Sequence, residues 1–137
     1  MKPSDIKILM AKPGLEGHWR GMVAVSGAMR EAGFEVIYGG NLSPQEIATT
    51  ASQEDVDIVG LSILSSNYMR LVSETIKSLK EKGKGDVMVL LGGLIWERDW
   101  PALKEMGVAG IFGPGTPLKD ITDFVHQSML QSRSGAK

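Results

Sequence analysis

The chain carries the stretch Lys12-Pro13-Gly14-Leu15-Glu16-Gly17-His18-Trp19-Arg20-Gly21 between a short apolar run, residues 6–10, and a helical pattern. A glycine-rich turn that joins a strand to a helix is typical of α/β proteins, which bind ligands at such turns. In this turn His18 follows a carboxylate, Glu16, by two residues, and an amine, Lys12, lies four residues before Glu16. A carboxylate beside a metal-binding histidine fixes its ring and tautomer, so the grouping is a candidate metal site.

Length and composition limit the class of protein. A chain of 137 residues, 42% hydrophobic and 23% charged, fits one globular domain. The net charge of −1 gives no basic surface for nucleic acid or an anionic membrane. The absence of cysteine excludes disulfides and thiolate metal sites, and it favours a cytoplasmic location. No segment has the apolar length of a signal peptide or a membrane span.

Apolar runs alternate with helical patterns along the whole chain. The runs are residues 6–10, 34–38, 58–63, 87–91 and 109–112. Most are continuously apolar, as expected of parallel strands covered on both faces. The first predicted helix covers residues 21–32, and the second begins at a capping box in Ser43-Pro44-Gln45-Glu46. The third contains residues 71–79, the fourth covers about 101–106, and the fifth covers about 117–130. Gly33 is predicted to end the first helix.

Five strands that alternate with five helices predict a doubly wound parallel α/β sheet with helices on both faces. We favour the flavodoxin-like (Rossmann-like) strand order 2-1-3-4-5 over half of a Rossmann fold. Residues 1–131 are expected to form the domain, and residues 132–137 a disordered tail.

Small residues follow four of the predicted strands. They are Gly14, Gly17 and Gly21 after strand 1, residues 62–66 after strand 3, Gly92-Gly93 after strand 4, and Gly113-Pro114-Gly115-Thr116 after strand 5. The carboxyl ends of parallel strands meet at one edge, so these segments are expected to line one ligand site near the switch point between strands 1 and 3. Glycines there let a ligand approach the backbone closely, which suits a bulky, mostly neutral group.

Several kinds of site were compared for His18. A zinc ion would need three or four protein ligands, and these loops supply too few. A metal already surrounded by a macrocycle, as in haem or cobalamin, needs a single protein ligand, and the groove could receive the tail of the macrocycle. A phospho-accepting receiver needs an aspartate at the end of strand 3, where this chain has Leu61-Ser62-Ile63-Leu64. A flavodoxin needs a hydroxyl-rich loop after strand 1, where this chain has Lys12-Pro13-Gly14-Leu15-Glu16-Gly17. An ordinary solvated loop with unrelated charged side chains stays possible.

Three motifs in order resemble the cobalamin-binding domain of coenzyme-B12-dependent acyl-CoA mutases. The family pattern D-x-H-x-x-G, then S-x-L, then G-G reads here Glu16-x-His18-x-x-Gly21, Ser62-x-Leu64 and Gly92-Gly93. The resemblance covers about residues 6–125 and also includes the turn at 113–116. As a free small chain, the protein resembles the small subunit of methylmalonyl-, isobutyryl- or 2-hydroxyisobutyryl-CoA mutases.

The resemblance implies a cofactor and a partner. His18 would replace the cofactor's own benzimidazole as the lower cobalt ligand of adenosylcobalamin, with Glu16 as its partner and Lys12 behind Glu16. Ser62 would hydrogen-bond the displaced benzimidazole, Leu64 would pack near it, and the nucleotide tail would enter a groove between strands 1 and 3. The residues assigned to the cofactor are Lys12, Gly14, Glu16, Gly17, His18, Arg20, Gly21, Ser62, Leu64, Gly92, Gly93, Gly113, Gly115 and Thr116. A large acyl-CoA-binding TIM-barrel subunit would cover the upper corrin face and carry the substrate, so this chain would be inactive alone.

Two residues depart from the family pattern. Glu16 is one methylene longer than the family aspartate, and Trp19 stands where an aspartate is common. Trp19 shields the lower face of the corrin, contacts a partner or packs locally. Trp96 and Trp100 either extend an apolar rim or anchor the fourth helix. The alternative functions are a corrinoid carrier or cobalamin-responsive regulator without mutase activity, and a domain that kept the fold but lost cobalamin.

Overall fold

The computed structural model describes residues 2–13 and 20–134 as a three-layer α/β arrangement. The strands are β1 (Lys7–Pro13), β2 (Glu35–Leu42), β3 (Ile58–Ile63), β4 (Met88–Gly93) and β5 (Val108–Phe112). The helices are α1 (Arg20–Glu31), α2 (Pro44–Glu54), α3 (Tyr68–Glu81), α4 (Trp100–Met106) and α5 (Leu118–Ser134). Short 3₁₀ turns occupy Pro3–Asp5 and Glu97–Asp99. No helix among the described residues is both long and apolar enough to cross a membrane.

All the strands run parallel, in the order β2-β1-β3-β4-β5. The predicted flavodoxin-like fold is therefore confirmed. From β1 the chain goes to β2 at one edge of the sheet. It then crosses to β3 on the other side of β1 and continues to β4 and β5. The switch point between β1 and β3 is where such sheets place their ligands.

Alternate residues of the strands face two different cores. Leu9, Val59 and Leu91 face a core that α2, α3 and α4 complete. Ile8 and Ile58 face a second core, completed by α1 and α5. Burial of both faces explains why the strands are continuously apolar in sequence.

The helix signals act as the sequence predicts. Ser43 Oγ accepts a hydrogen bond from the Glu46 amide (3.1 Å), and the Glu46 carboxylate accepts one from the Ser43 amide (2.8 Å). At the end of α1, Gly33 has a φ of 98°, and the Phe34 amide donates to the Met29 carbonyl oxygen. This turn needs glycine because side chains rarely tolerate such a φ.

Four predicted boundaries were wrong. β1 continues to Pro13 and β2 to Leu42, because these two strands pair beyond the apolar runs. Gly92 and Gly93 are the last residues of β4 rather than a turn after it, since they pair with Ser62 and Ile63. α5 continues to Ser134, so helix occupies the beginning of the expected tail. Residues 135–137 lie outside the described range, and the domain limits stay a prediction.

Each outer strand of the sheet contains an irregularity. The register of β2 against β1 shifts between Met10 and Ala11, which places an extra residue, Gly39, in β2. The register of β5 against β4 shifts between Val89 and Leu90, which places an extra residue, Ala109, in β5. Such bulges bend a strand and increase its twist.

Candidate functional site

A large apolar cavity lies between the sheet and helices α1 and α5, and it reaches the carboxyl edge of the strands. Its volume is about 780 Å³, within the range of small-molecule and cofactor sites. It extends from β1 across β3 and β4 to β5, so it is wider than the predicted groove between strands 1 and 3. The predicted residues that line it are Arg20, Gly21, Ser62, Leu64, Gly92, Gly93, Gly113, Gly115 and Thr116.

Strand alternation determines the floor of the cavity. Met10, Gly60, Leu90 and Phe112 line the cavity and belong to the face of the sheet that α1 and α5 cover. Gly60 leaves room for the Met10 side chain, since a Cβ there would lie 2.6 Å from the Met10 sulfur. The floor is therefore predominantly apolar, and the Met10 side chain packs closely over the backbone of Gly60.

Lys12 and Ser62 form the polar end of this face. Lys12 is fully buried, and its Nζ donates to the Ser62 carbonyl oxygen (3.2 Å) and to Ser62 Oγ (3.3 Å). A buried ammonium needs such acceptors because its desolvation is costly. The structure thus places Lys12 against Ser62, while its predicted contact with Glu16 concerns a residue outside the described range.

The two glycines at the end of β4 differ in what they allow. Gly93 has a φ of 133°, and a Cβ there would lie 1.9 Å from the Ile63 carbonyl oxygen, which is not possible without moving backbone. A Cβ on Gly92 would meet only ordinary contacts, 3.6 Å from the Phe112 carbonyl oxygen and 4.0 Å from that of Leu61. Gly93 is therefore required by the fold, whereas Gly92 keeps the cavity open.

Polar groups are few along the cavity. Of the described lining residues, Arg20 alone is charged, and it begins α1 at the cavity. Thr116 Oγ1 donates to the Gly113 carbonyl oxygen (2.7 Å), which closes the turn after β5. An arrangement of this kind favours a large neutral aromatic group, with one positive charge to meet an anionic part of the same ligand.

The loop that carries the candidate metal ligand lies outside the described residues. Gly14, Glu16, Gly17, His18 and Trp19 belong to this loop. The described chain stops at Pro13, which ends β1, and resumes at Arg20, which lines the cavity. Among the described residues, no group of three or more His, Cys, Asp or Glu side chains is placed to hold a metal.

The two tryptophans after β4 have different surroundings. Trp96 is 65% exposed, and the Arg98 guanidinium lies 5.3 Å from its ring centre. Trp100 packs against the core on the α3 side, and its Nε1 donates to the Ile95 carbonyl oxygen (3.3 Å). Trp100 thus anchors α4, whereas the Trp96 side chain is largely exposed to solvent.

Sequence reasoning missed the cavity floor and part of its walls. The missed lining residues include Met10, Val25, Gly60, Leu90, Phe112, Leu118 and Ile121. One signal was present in the sequence, because a glycine inside an apolar strand, such as Gly60, often marks a place where a ligand or backbone approaches closely. The positions of Val25 and Ile121 depend on how α1 and α5 are spaced, which no local pattern specifies.

Fold and cavity together define an α/β domain that binds a bulky ligand at the carboxyl edge of a parallel sheet. Residues 6–121 match the B12 binding domain family. The chain belongs to this family.

The chain is also similar to individual proteins. The chain is 39% identical to the 2-hydroxyisobutanoyl-CoA mutase small subunit of Aquincola tertiaricarbonis, over 97% of this chain and 98% of that one. It is 42% identical to the methylmalonyl-CoA mutase of Escherichia coli over 83% of this chain, which spans only 16% of that enzyme. Among solved structures, a cobalamin-binding protein from Desulfitobacterium hafniense has a TM-score of 0.74 and 25% identity, over 89% of this chain and 58% of that chain.

Proposed function

We propose that the chain is the cobalamin-binding subunit of an adenosylcobalamin-dependent acyl-CoA mutase and that it binds the cofactor with the benzimidazole displaced by His18. The observation that carries the proposal is the apolar cavity of about 780 Å³, which begins where the His18 loop ends. Support also comes from the mutase small subunit to which the chain is similar over nearly its whole length.

The described residues fit the nucleotide tail of this cofactor. A displaced benzimidazole is flat, aromatic and neutral, and the floor formed by Gly60, Leu90 and Gly92 offers it apolar contact. The tail also carries one phosphodiester, for which Arg20 supplies a positive charge. One charge and an apolar floor match this ligand better than a free nucleotide, which would need several phosphate contacts.

Ser62 is oriented for one specific hydrogen bond. Lys12 has donors only, so Ser62 Oγ accepts from it and directs its own proton elsewhere. The benzimidazole nitrogen that leaves cobalt carries a lone pair, and Ser62 would donate to it. Lys12 would thus act on the cofactor through Ser62 as well as through Glu16.

His18 would hold cobalt from below, and Glu16 would accept the proton of its other ring nitrogen. Bound adenosylcobalamin supplies the radical chemistry of the carbon-skeleton rearrangement. The substrate and the upper corrin face belong to a large TIM-barrel subunit, so the chain alone is inactive. A cytoplasmic location remains part of the proposal.

The first experiment records absorption spectra while adenosylcobalamin is added to wild type, His18→Ala and His126→Ala. Wild type and His126→Ala should give the spectrum of a histidine-ligated, base-displaced corrinoid, and His18→Ala should not. The control removes the other histidine of the chain, which lies on α5. A wild-type spectrum that equals that of His18→Ala would refute ligation by His18.

The second experiment mixes the loaded chain with the large subunits of acyl-CoA mutases. Turnover is expected only in the mixture. Turnover by the isolated chain, or no complex with any large subunit, would contradict the subunit assignment, and the second result would favour a corrinoid carrier.

A further inference from the structure

Tyr68 ties α3 to the segment that follows β4. Its side chain is 3% exposed and belongs to the core beneath α3. Its hydroxyl donates a hydrogen bond to the Asp99 carboxylate and accepts one from the Trp96 amide (3.2 Å). One buried hydroxyl therefore connects to both ends of the short segment from Trp96 to Asp99.

This segment and Leu94, two residues before it, present large apolar side chains to solvent after the carboxyl end of β4. Leu94 is 57% exposed and Trp96 65% exposed, and Leu94 directly follows Gly93 of the cavity lining. Val23 and Leu118, which are 54% and 41% exposed, lie in the first turns of α1 and α5 at the same edge. A fixed loop that exposes leucine and tryptophan beside an apolar cavity is typical of a binding rim.

The hydroxyl of Tyr68 keeps its proton under physiological conditions. Burial, followed by the hydrogen bond to Asp99, raises the pKa of Tyr68 above its usual range. The tyrosine therefore donates to Asp99 throughout the neutral pH range, and the tie does not depend on moderate changes in pH.

We propose that Tyr68 is a positioning residue for cobalamin, because its hydroxyl fixes the segment from Trp96 to Asp99 and thereby places Trp96 and the neighbouring Leu94 at the edge of the corrin macrocycle. The inference rests on the proposed function, since it needs the corrin to lie at the mouth of the cavity. Tyr68 does not line the cavity among the described residues, so its effect on binding passes through the loop that it holds.

The test compares Tyr68→Phe with Thr75→Val. Both changes remove a fully or nearly fully buried hydroxyl from α3, but Thr75 Oγ1 donates to the Leu71 carbonyl oxygen of its own helix (2.7 Å). Hydrogen exchange at the Trp96 amide, measured by NMR without ligand, reports the tie itself. A spectroscopic titration with adenosylcobalamin then gives the dissociation constant of each variant.

Tyr68→Phe should speed exchange at the Trp96 amide and raise the dissociation constant about tenfold, which corresponds to about 1.4 kcal/mol. Thr75→Val should change neither quantity. Asp99→Asn retains an acceptor for the tyrosine and should bind nearly as wild type, whereas Asp99→Ala should behave like Tyr68→Phe. The Asp99 pair also provides the test if the core change at Tyr68 prevents folding.

Faster exchange in Tyr68→Phe with an unchanged dissociation constant would overturn the inference while leaving the proposed function intact. An equal loss of affinity in Thr75→Val would also overturn it, because the effect would then be one of general stability. Wild-type chain that binds no cobalamin would refute the proposed function itself, and the inference with it.

Discussion

Replacing each glycine of the pair at the end of β4 by alanine should have opposite results for stability. Gly93→Ala forces a side chain into a φ of 133°, which costs about 1–3 kcal/mol. The new Cβ would also lie 1.9 Å from the Ile63 carbonyl oxygen. Relief of that clash separates the ends of β3 and β4, and each ladder hydrogen bond lost adds about 1 kcal/mol. Gly93→Ala should therefore destabilise the domain by about 3–4 kcal/mol.

Gly92→Ala introduces a methyl group that meets only ordinary contacts, the nearest at 3.6 Å from the Phe112 carbonyl oxygen. Alanine also restricts the unfolded chain, which stabilises a protein by about 0.4–1 kcal/mol where the native conformation permits it. Gly92→Ala should thus be as stable as wild type or slightly more stable.

Urea unfolding of the chain without cofactor measures this difference directly. With a slope of about 2 kcal/mol per molar, a gap of about 4 kcal/mol between the variants separates their midpoints by about 2 M. Gly92→Leu provides the functional counterpart, since it should fold but exclude the nucleotide tail. Midpoints of the two alanine variants within about 0.5 M of each other would refute the reasoning from the backbone geometry.

Two further predictions concern charge and ligand selection. Lys84 Nζ lies 2.8 Å from Asp55 Oδ1, and this hydrogen bond lowers the pKa of Asp55 from its usual value of 3.8. The pair therefore stabilises the folded chain at pH values above 3.8, and this stabilisation is lost as the pH falls through the lowered pKa. Asp55→Asn, which tolerates the φ of 51° at this position, should therefore unfold at lower urea than wild type at pH 7. The gap should narrow as the pH falls below 3.8, and a gap that does not change with pH would contradict this. A corrinoid with an adenine in place of the benzimidazole should bind at least about tenfold more weakly. Ser62 and Thr116 are the polar uncharged side chains of the described lining, and each hydrogen-bonding group of adenine left unpaired costs about 1–3 kcal/mol. Equal affinities in a competition titration would show that the cavity does not select the base.

The fold could be predicted because the apolar runs and helix caps are local signals. The Ser43 capping box and the Gly33 helix end depend on residues within one turn, so the sequence contains all that they need. The end of β2 was missed for a physical reason. Gly39-Gly40-Asn41 has the composition of a turn, and only its pairing with β1 makes it a strand.

The candidate site could be predicted only in part. Residues at strand ends, such as Ser62 and Gly92, follow from the rule that parallel strands end at one edge. The cavity also depends on the distance between α1 and α5, and the segment after β4 is held by a hydrogen bond between Tyr68 and Asp99, which are 31 residues apart in sequence. Contacts of this kind arise from packing, and no pattern within one segment encodes them.

The bulges in the two outer strands bear on how the molecule behaves in a crowded solution. A straight outer strand offers its free amides and carbonyl groups to a strand of another molecule, which leads to aggregation. Here β2 has an extra residue at Gly39 and β5 one at Ala109, so neither outer strand offers a regular ladder. The sheet can thus keep continuously apolar strands inside while its borders discourage strand addition by a second copy.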